Sequence, residues 1–489
     1  MKRGKITCIC LALLLASAVL AGCAERTGGG TFTYEEIMAK FDGEIEQNAT
    51  IRVLDNQMAT ETGHLEEMLA AFNERYAEYN VNAVDANMDQ YVDLEQNGPD
   101  GYGPDVLYQA NDMLMRYAEG GHVLPLPTEE LDIEQIPQTV LDVYQLETYG
   151  LDLYYGMPVA QQSTVLTYRK DLLPDNWEEE WDDNRNGVPD MVETMNDLYA
   201  YSNQVKEQSN GERYGLYMSL VDQYFNSGYL LSFGAYVFGD THDDIGLNAD
   251  NAATGLNLFR DLAGVLGSNC ISQNATTQVA TYLTNSAGTA FCTIGTPDWL
   301  TTFHENLTAT YVRGGMSQTE AEEAAAENLV VVAPPRLPKD GDITKELTDI
   351  EEETFEPTTM GGVNAFSISS YTQYPKACLA FVKFVSEYEN LKWRSEALGA
   401  VPARTDLAEE LGGVSEILSE RVSSGLVYMM PSSRDTQYIW DPLTSLFNDV
   451  ATDNTTRQTP VYTTTEALQG ALDKLVADIR SAMAIGNIS

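Results

Sequence analysis

Segments with a strand pattern and segments with a helix pattern alternate along this chain. Residues 51–54 (IRVL) form a β-branched, apolar run that ends in a polar loop, and an amphipathic helix is predicted after it. Residues 105–108 (DVLY) precede a second predicted helix, and residues 329–333 and 363–368 are further strand-like runs. Alternating strands and helices form a parallel or mixed sheet that helices cover on both faces. The sequence therefore predicts an α/β fold.

The size and charge of the chain exclude several classes of protein. Its 489 residues leave room for two or three domains, and 43% hydrophobic with 21% charged residues is ordinary globular usage. The 28 Lys and Arg residues against 74 Asp and Glu residues give a net charge of −46. Such a surface repels phosphate groups, because nucleic-acid binding requires cationic side chains that displace counterions. We therefore expect no nucleic-acid partner and no polyanionic substrate.

The amino-terminal segment has the pattern of a secretion signal. A basic head (MKRGK) precedes an apolar run over residues 6–21, which is short for a membrane span of about 20 residues. The run ends in residues 20–23 (LAGC), which look like the lipobox of bacterial lipoproteins. We predict that residues 1–22 are a lipoprotein signal peptide and that Cys23 carries the lipid, with palmitate as one acyl group. A cytoplasmic protein with an apolar amino-terminal helix is the alternative.

Residues 23–49 are predicted to comprise the lipidated cysteine, a Gly-rich tether and a first helix. Thr33 and Glu36 have the spacing of a capping box, which would open that helix. Acyl chains on Cys23 would hold the folded body at the extracytoplasmic face of the bacterial cell membrane without crossing it.

Cysteine is sparse in the mature chain. Cys270, Cys292 and Cys378 lie far apart and form no Cys-x-x-Cys pair, which argues against a disulfide framework and against a zinc site. The sequence favours three small buried side chains, and a single bridge between Cys270 and Cys292 is left open.

Short motifs follow one another in a family-specific order. They are residues 104–106 (PDV), 117–118 (YA), 124–126 (LPL), 155–158 (YGMP), 165–172 (VLTYRKDL), 288–290 (GTA) with Trp299, 361–369, 380–386 and 401–404 (VPAR). In this order they resemble the extracellular solute-binding protein family 1, specifically the maltose- and oligosaccharide-binding lipoproteins of ABC importers. The resemblance spans the chain from about residue 51 to the carboxyl end. Arg169 departs from the family, which usually has Asn at this position.

The resemblance implies an α/β, two-lobe periplasmic-binding-protein-like fold of type II, with lobes joined by crossover strands and a ligand cleft between them. Carried over to this chain, residues 50–158 and 329–386 would form lobe 1. Residues 164–328 and 388–489 would form lobe 2, with an acidic insertion at residues 182–193.

The resemblance also implies a function. It is that of a lipid-anchored extracellular substrate-binding protein of an ABC importer, which binds a neutral carbohydrate, an oligosaccharide, and delivers it to a membrane permease. We expect a monomer that is not an enzyme. The sequence does not specify the sugar, its chain length or the permease.

The candidate ligand-binding residues combine strand-end positions with aromatic rings. Ligands of open α/β sheets bind beyond the carboxyl ends of strands, and neutral sugars need flat rings and a few fixed polar groups. The chain has 27 Tyr against 14 Phe and 5 Trp, which suits a partly wet cleft. The candidates are Asp55, Gln57, Tyr108, Asn111, Tyr224, Tyr236, Trp299, Gly361, Gly362 and Trp440. The resemblance makes Trp299 the ring that stacks on sugar, and for each aromatic a core or surface position is the alternative.

Residues 182–193 (DDNRNGVPDMVE) have the spacing of an EF-hand-type calcium loop. Side-chain oxygens fall at the ligand positions of such a loop, Gly187 falls at the sharp turn, and a backbone carbonyl falls between them. The predicted ligands are Asp182, Asn184, Asn186, Val188 through its carbonyl, Asp190 and Glu193. We therefore expect calcium as a structural cofactor, and a polar turn in a very acidic chain is the alternative.

Enzyme motifs are absent from the sequence. No His-Glu-x-x-His, Gly-x-Ser-x-Gly or Gly-x-x-x-x-Gly-Lys pattern occurs, and the four histidines lack metal-ligand spacing. A surface-anchored glycoside hydrolase stays open, because it needs only two suitably placed carboxylates. A peptide-binding solute receptor and a calcium-clipped cell-surface interaction protein also stay open.

Overall fold

A computed structural model gives the structure of residues 33–89, 94–239 and 241–486. The predicted signal peptide (1–22), the lipidated Cys23 and the Gly-rich tether lie outside the described residues. The predicted first helix is confirmed, because Glu36 N donates to Thr33 Oγ1 at 3.3 Å and Thr33 N donates to Glu36 Oε2 at 2.9 Å. None of the helices in the described part of the chain has the length and apolar character needed to span a bilayer.

The strands fall into two larger sheets and two hairpins. They are β1 (Thr50–Leu54), β2 (Asn82–Asp85), β3 (Val106–Ala110), β4 (Val123–Leu124), β5 (Gln145–Thr148), β6 (Leu151–Tyr154), β7 (Met157–Ser163), β8 (Val165–Arg169), β9 (Tyr214–Leu216), β10 (Ala290–Gly295), β11 (Leu329–Val332), β12 (Leu337–Pro338), β13 (Thr354–Phe355), β14 (Thr359–Ser369), β15 (Val401–Pro402) and β16 (Val427–Met429).

Helices cover both sheets. They are α1 (Tyr34–Met38), α2 (Gln57–Glu61), α3 (His64–Arg75), α4 (Leu94–Asn97), α5 (Asn111–Glu119), α6 (Gln138–Asp142), α7 (Trp177–Glu180), α8 (Asp190–Glu193), α9 (Met195–Gln208), α10 (Gln223–Leu231), α11 (Ala252–Leu266), α12 (Gln273–Thr284), α13 (Trp299–Arg313), α14 (Gln318–Asn328), α15 (Ile350–Glu353), α16 (Pro375–Val385), α17 (Tyr388–Leu398), α18 (Thr405–Leu411), α19 (Gly413–Ser423), α20 (Trp440–Thr455) and α21 (Thr465–Gly486).

Lobe 1 is built on an eight-stranded mixed sheet in the order β15-β7-β14-β3-β1-β2, with β4 and β16 also paired to β14. The strands β1, β2 and β3 are parallel, and β14 runs antiparallel to β3 and β7. These strands are rich in apolar residues and mostly buried, as expected for a sheet covered on both faces. The Phe72 ring of α3 packs edge-on against Phe381 of α16 at 5.1 Å, which anchors helices to the sheet.

Lobe 2 has a smaller sheet and a larger share of helix. Its four strands are ordered β11-β8-β10-β9, with β8 antiparallel to both β10 and β11. Helices α11, α20 and α21 bury one continuous apolar core with this sheet, in which Phe259 packs edge-on against Phe447 at 4.9 Å. The two hydrophobic cores are separate, so the predicted two-lobe α/β fold is confirmed.

Three segments of chain cross between the lobes. The strand β7 leads through Thr164 directly into β8 of lobe 2. The strand β14 begins beside Met360 in the core of lobe 2 and reaches Val363 in the core of lobe 1. The chain returns through β16, and all three crossovers are hydrogen-bonded side by side, since Gly361 pairs with Ser163 on one edge and with Met429 on the other.

Two of the predicted lobe boundaries are wrong. Residues 329–386 were expected in lobe 1, but β11 pairs with β8 in lobe 2 and Leu337 is buried in the lobe 2 core, so lobe 1 resumes only within β14. Residues 388–489 were expected in lobe 2, but Leu391, Leu407 and Leu418 are buried in the core of lobe 1. An apolar run shows that a strand or helix forms and does not show which sheet it joins.

Candidate functional site

A cleft of about 300 Å³ opens between the two lobes. Its walls are residues 56–58 after β1, 108–110 at the end of β3, 160–162 in β7, Asn364 of β14, 297–298 before α13, and 398–401. The first three groups and Asn364 belong to the lobe 1 sheet, whereas residues 297–298 belong to lobe 2. The cleft therefore lies at strand ends and touches both lobes, as a ligand site of an α/β sheet should.

Side-chain amides dominate the polar lining of the cleft. Six of the lining residues are amides, namely Asn56, Gln57, Gln109, Gln161, Gln162 and Asn364. An amide both donates and accepts hydrogen bonds, which matches the dual character of a hydroxyl group. Gln161 is 2% exposed, and its Oε1 has no hydrogen-bond partner among the described residues. Among the described lining residues Asp298 is the one charged side chain.

Direct contacts cross the cleft from lobe to lobe. Gln162 Nε2 of lobe 1 donates to Asp298 Oδ1 of lobe 2 at 3.1 Å, and the Tyr224 hydroxyl donates to Gln162 O at 3.4 Å. Between the same two lobes, the Trp440 side chain lies close enough to the Asp112 carboxylate to lower its pKa against the larger effect of burial. Burial raises the pKa of both Asp112 and Asp298. Both contacts pair a carboxylate with a side chain from the opposite lobe.

An aromatic row lines the lobe 2 rim next to Asp298. The Trp299 ring, at the start of α13, lies edge-on to Phe225 at 5.3 Å, and Phe225 lies edge-on to Tyr224 at 5.7 Å. Gly295 lets the indole approach β10, because a Cβ there would lie 2.5 Å from Trp299 Cε3. All three rings are half-buried, and Trp299 directly follows the cleft-lining residue Asp298.

The sequence model of a family described as "Bacterial extracellular solute-binding protein" matches residues 67–417 of the chain. The chain belongs to this family. A relative among characterised proteins is the galactooligosaccharide-binding protein of Bacillus subtilis (strain 168), 23% identical over 74% of this chain and 76% of that protein. The maltotriose-binding protein of Pyrococcus abyssi is 23% identical over 73% of this chain and 67% of that protein.

A solved structure with the same fold is a cyclo/maltodextrin-binding protein complexed with maltotetraose. It superposes with a TM-score of 0.64 at 20% identity and covers 90% of this chain and 99% of that chain. The predicted family and fold class are therefore confirmed, and the relatives are binding proteins by name.

Two of the ligand-binding candidates line the cleft of this solute-binding protein. Gln57 is exposed at the start of α2, and Tyr108 lies at the end of β3. Tyr108 is only 4% exposed, its ring faces the guanidinium of Arg394 at 4.5 Å, and burial raises its pKa to about 12. Tyr108 therefore forms a floor of the cleft more than an open stacking face.

Asp55 was predicted to hydrogen-bond ligand, and the structure uses it differently. Arg394 donates from Nη1 and Nη2 to the two carboxylate oxygens of Asp55, at 2.7 Å each, and both side chains are buried. The backbone N–H of Asn56 donates a further hydrogen bond to Asp55 Oδ1 at 2.7 Å. The Asp55 carboxylate is thus engaged by a buried partner, and Asn56 beside it lines the cleft, so ligand binding by Asp55 stays a prediction without a contact to support it.

Asn111, Gly361 and Gly362 lie in the bundle of crossover strands rather than in the cleft wall. Asn111 is fully buried, its Nδ2 donates to Met430 O at 2.6 Å, and its Oδ1 accepts from Val363 N at 3.2 Å. A Cβ on Gly361 would overlap Val427 Cγ1 and lie 3.0 Å from Gln162 O. The contacts of Asn111 and Gly361 hold the crossovers together, and ligand binding by the three residues stays a prediction.

Of the remaining candidates, three lie near the space between the lobes and one lies away from it. Tyr224, Trp299 and Trp440 border the interlobe space through the contacts described above. Tyr236 does not line the cleft, and its hydroxyl donates to Asp244 Oδ1 at 2.9 Å in a loop of lobe 2. Ligand binding by Tyr236 therefore stays a prediction that its position in this loop does not support.

Several cleft-lining residues were not among the sequence candidates, and the polar ones include Gln161, Gln162 and Asp298. Asp112, which lies against Trp440, was also not among them. The sequence feature that could have indicated Gln161 and Gln162 is the pair of glutamines inside the mostly apolar strand β7. Two neighbouring amide side chains are rare in a buried strand. Asp112 and Asp298 each lie next in sequence to a predicted ligand-binding residue, Asn111 and Trp299 respectively.

The cysteines described by the structure are free thiols. Cys270 and Cys292 are buried and unbridged, and Cys378 is likewise buried. Cys292 Sγ donates to Gly215 O at 3.3 Å, and burial raises the pKa of all three thiols. The bridge left open by the sequence does not form here.

Proposed function

We propose that this solute-binding protein is the lipid-anchored, extracellular substrate-binding component of an ABC importer and that it takes up a neutral oligosaccharide. The observation that carries the proposal is the interlobe cleft, whose amide lining includes the unpartnered Oε1 of Gln161. The relatives named for galactooligosaccharide and maltotriose binding support the same ligand class.

The chemistry of the cleft suits sugar hydroxyls. A buried acceptor without a partner costs roughly 1 to 3 kcal/mol, and a hydroxyl donated to Gln161 Oε1 would recover that cost. The described lining residues include no Lys, Arg or His, so a carboxylate or phosphate ligand would enter without a counter-charge. The half-buried rings of Trp299 and Tyr224, next to the lining residues Asp298 and Gln162, would offer faces for the C–H surface of a pyranose.

Ligand contacts from both lobes would drive closure. Lobe 1 supplies the amides and lobe 2 supplies Asp298 and the aromatic row, so a sugar that touches both favours the closed population. The closed form would dock on the permease subunits as a monomer, held near them by acyl chains, palmitate among them, on Cys23. The signal at residues 1–22 supports export, and the family is extracellular by description.

Isothermal titration of the mature protein against neutral malto- and galacto-oligosaccharides tests the ligand class. We expect saturable binding of at least one series, and a loss of about 10- to 100-fold in affinity for Trp299→Ala. Trp177→Ala is the matched control, because Trp177 is a half-buried tryptophan of α7 that makes none of the described contacts with Asp298 or the aromatic row. Binding of short peptides with no binding of any glycan would overturn the proposal.

The same samples separate binding from hydrolysis. We propose that the protein has no catalytic role, so chromatography should recover every bound glycan uncut. Shortened products would establish the glycoside hydrolase instead, and Asp112→Asn and Asp298→Asn would then be the first variants to test for loss of cleavage.

Fractionation tests the anchor. We expect wild-type protein in the membrane fraction with incorporated palmitate label, and Cys23→Ser in the soluble fraction without label. Membrane retention of Cys23→Ser would show that the anchor has another origin.

A further inference from the structure

The loop of residues 182–193 is organised around a common point. Asn184 Nδ2 donates to Glu193 Oε2 at 2.9 Å, and Asn186 Nδ2 donates to Glu193 Oε1 at 3.0 Å. Two amides from the first half of the loop thus converge on the carboxylate that ends it. Gly187, at the turn, has a φ of +80°, which lets the chain reverse sharply there.

Two carboxylate oxygens in this loop are buried and have no hydrogen-bond partner among the described residues. Asp182 accepts from Gly187 N through Oδ2 and Asp190 accepts from Asp183 N through Oδ2, so both carboxylates face the loop backbone. In each case the second oxygen, Oδ1, is unpartnered, and Asp190 as a whole is only 5% exposed. A desolvated carboxylate oxygen beside other carboxylates is neutralised either by a proton or by a bound cation.

The described residues around the loop do not supply that cation from a side chain. Arg336, which pairs with the loop end through its backbone, donates its guanidinium to Thr354 Oγ1 and to Glu351. No cluster of three His, Cys, Asp or Glu side chains within metal-binding reach is found in the described ranges. A site in this loop therefore needs its asparagines and a backbone carbonyl in addition to its carboxylates, and such an all-oxygen ligand set is that of calcium rather than of zinc.

We infer that residues 182–193 bind one calcium ion and that this ion fastens the insertion to lobe 2. The ligands are Asp182, Asn184, Asn186, the carbonyl oxygen of Val188, Asp190 and Glu193. Calcium takes six to eight oxygens, and a 12-residue loop with a Gly at position 6 and a Glu at position 12 presents them in sequence. The inference is independent of the sugar-binding proposal, because none of these residues lines the interlobe cleft.

Both ends of the loop are fixed in the core of lobe 2. Trp181 packs edge-on against Tyr201 at 5.5 Å, and Asp190 N donates to Trp181 O at 2.7 Å, which closes the base of the loop. On the other side Met191 and Val192 are buried in the lobe 2 core. A cation that draws the loop ligands together therefore stabilises lobe 2 and not the loop alone.

Thermal unfolding of the mature protein measures this effect. We expect the melting temperature in 10 mM calcium chloride to exceed that in chelator by roughly 2 to 5 °C, the shift expected for a site filled at millimolar calcium. Magnesium chloride at the same concentration should give little of this shift, because magnesium prefers a smaller octahedral shell with retained water.

Terbium luminescence locates the ion. Trp181 adjoins the first ligand, so its excitation should sensitise terbium bound in the loop, and added calcium should quench the signal by displacement. Glu193→Gln should abolish both the luminescence and the calcium-dependent shift. Glu305→Gln removes an equal charge from an exposed position of α13 in the same lobe and should change neither.

The outcomes decide the inference in either direction. Equal melting temperatures in calcium and chelator, with no sensitised terbium signal, would overturn it. A full calcium shift retained in Glu193→Gln would place the ion elsewhere and would overturn it as well. Asn184→Ala is the second variant if Glu193→Gln does not fold, because Asn184 is exposed and its loss removes one ligand only.

Discussion

The crossover bundle and the cleft wall both contain residues of strands β7 and β14. Their buried polar side chains differ in whether they have hydrogen-bond partners. In the bundle, Ser163 Oγ bonds to Met360 O and to Thr359 Oγ1 at 2.8 Å each, so its polar groups bond to one another. Two residues earlier, Gln161 is as deeply buried, but its Oε1 has no partner among the described residues. Polar groups that hydrogen-bond to one another stabilise the fold, whereas an unpartnered polar group in the cleft wall can hydrogen-bond to a ligand.

The largest expected effect on stability comes from the buried ion pair between Asp55 and Arg394, which lies behind the cleft wall. Asp55→Asn should lower the free energy of unfolding by about 3 to 5 kcal/mol, because it leaves the buried Arg394 charge uncompensated. Chemical denaturation followed by circular dichroism measures the change. Glu387→Gln, which breaks the exposed pair with Arg75, is the control and should cost at most about 1 kcal/mol. A small loss in Asp55→Asn would favour Asp55 as a ligand-binding residue.

A pair of neighbouring glycines tests the bundle. Gly361→Ala should destabilise the protein by about 1 to 3 kcal/mol, because the new methyl group overlaps Val427 and crowds Gln162 O. Gly362→Ala is the matched control, since its nearest contact, Asn111 Oδ1, would lie at an ordinary 3.7 Å. Equal melting temperatures for the two variants would mean that the crossovers are less tightly packed than the structure shows.

A substitution in the cleft wall should lower the affinity for ligand without lowering the stability of the protein. Gln161→Leu replaces an unpartnered buried acceptor by an apolar group of similar shape, so stability should stay the same or rise slightly. Affinity for the bound oligosaccharide should fall about 10-fold, which corresponds to about 1.4 kcal/mol. Titration and thermal melting of the same sample give both numbers. A loss of stability with unchanged affinity would assign Gln161 to the bundle.

The last expected effect is a change in the pH dependence of stability behind the cleft wall. Burial, and secondarily the charge of Arg394, lowers the pKa of His64 to about 4, whereas an unfolded histidine titrates near 6.5. The unfolded chain therefore binds the proton first, so this contribution to stability is complete above about pH 6.5 and is lost as the pH falls toward 4. His64→Leu should narrow the difference in melting temperature between pH 7.5 and pH 5, and an unchanged difference would contradict this.

Local patterns were enough to predict the elements of the fold. Residues 51–54 became β1, and the apolar side chains of α3 face the core, because strand and helix periodicity are properties of a short window. The lobe boundaries were wrong at β11 and at α17, since sheet pairing depends on partners distant in sequence. The order of motifs supplied the two-lobe arrangement, and periodicity alone would not have done so.

The candidate site was predicted less well, for a related reason. Asp55 and Asn111 stand at strand ends, as ligand-binding residues do, but Arg394 and Met430 occupy them from 339 and 319 residues away. No short window contains such a partner. Gln161 and Gln162 were visible in the sequence, and only the position of β7 beside the cleft gives them a role.

The contact between Asp112 of lobe 1 and Trp440 of lobe 2 places a fluorophore where the two lobes meet. A hinge movement that separates these residues would change the surroundings of the indole. Trp440 is one of five tryptophans, so the part of the emission change that Trp440→Phe removes would report lobe opening without an attached dye.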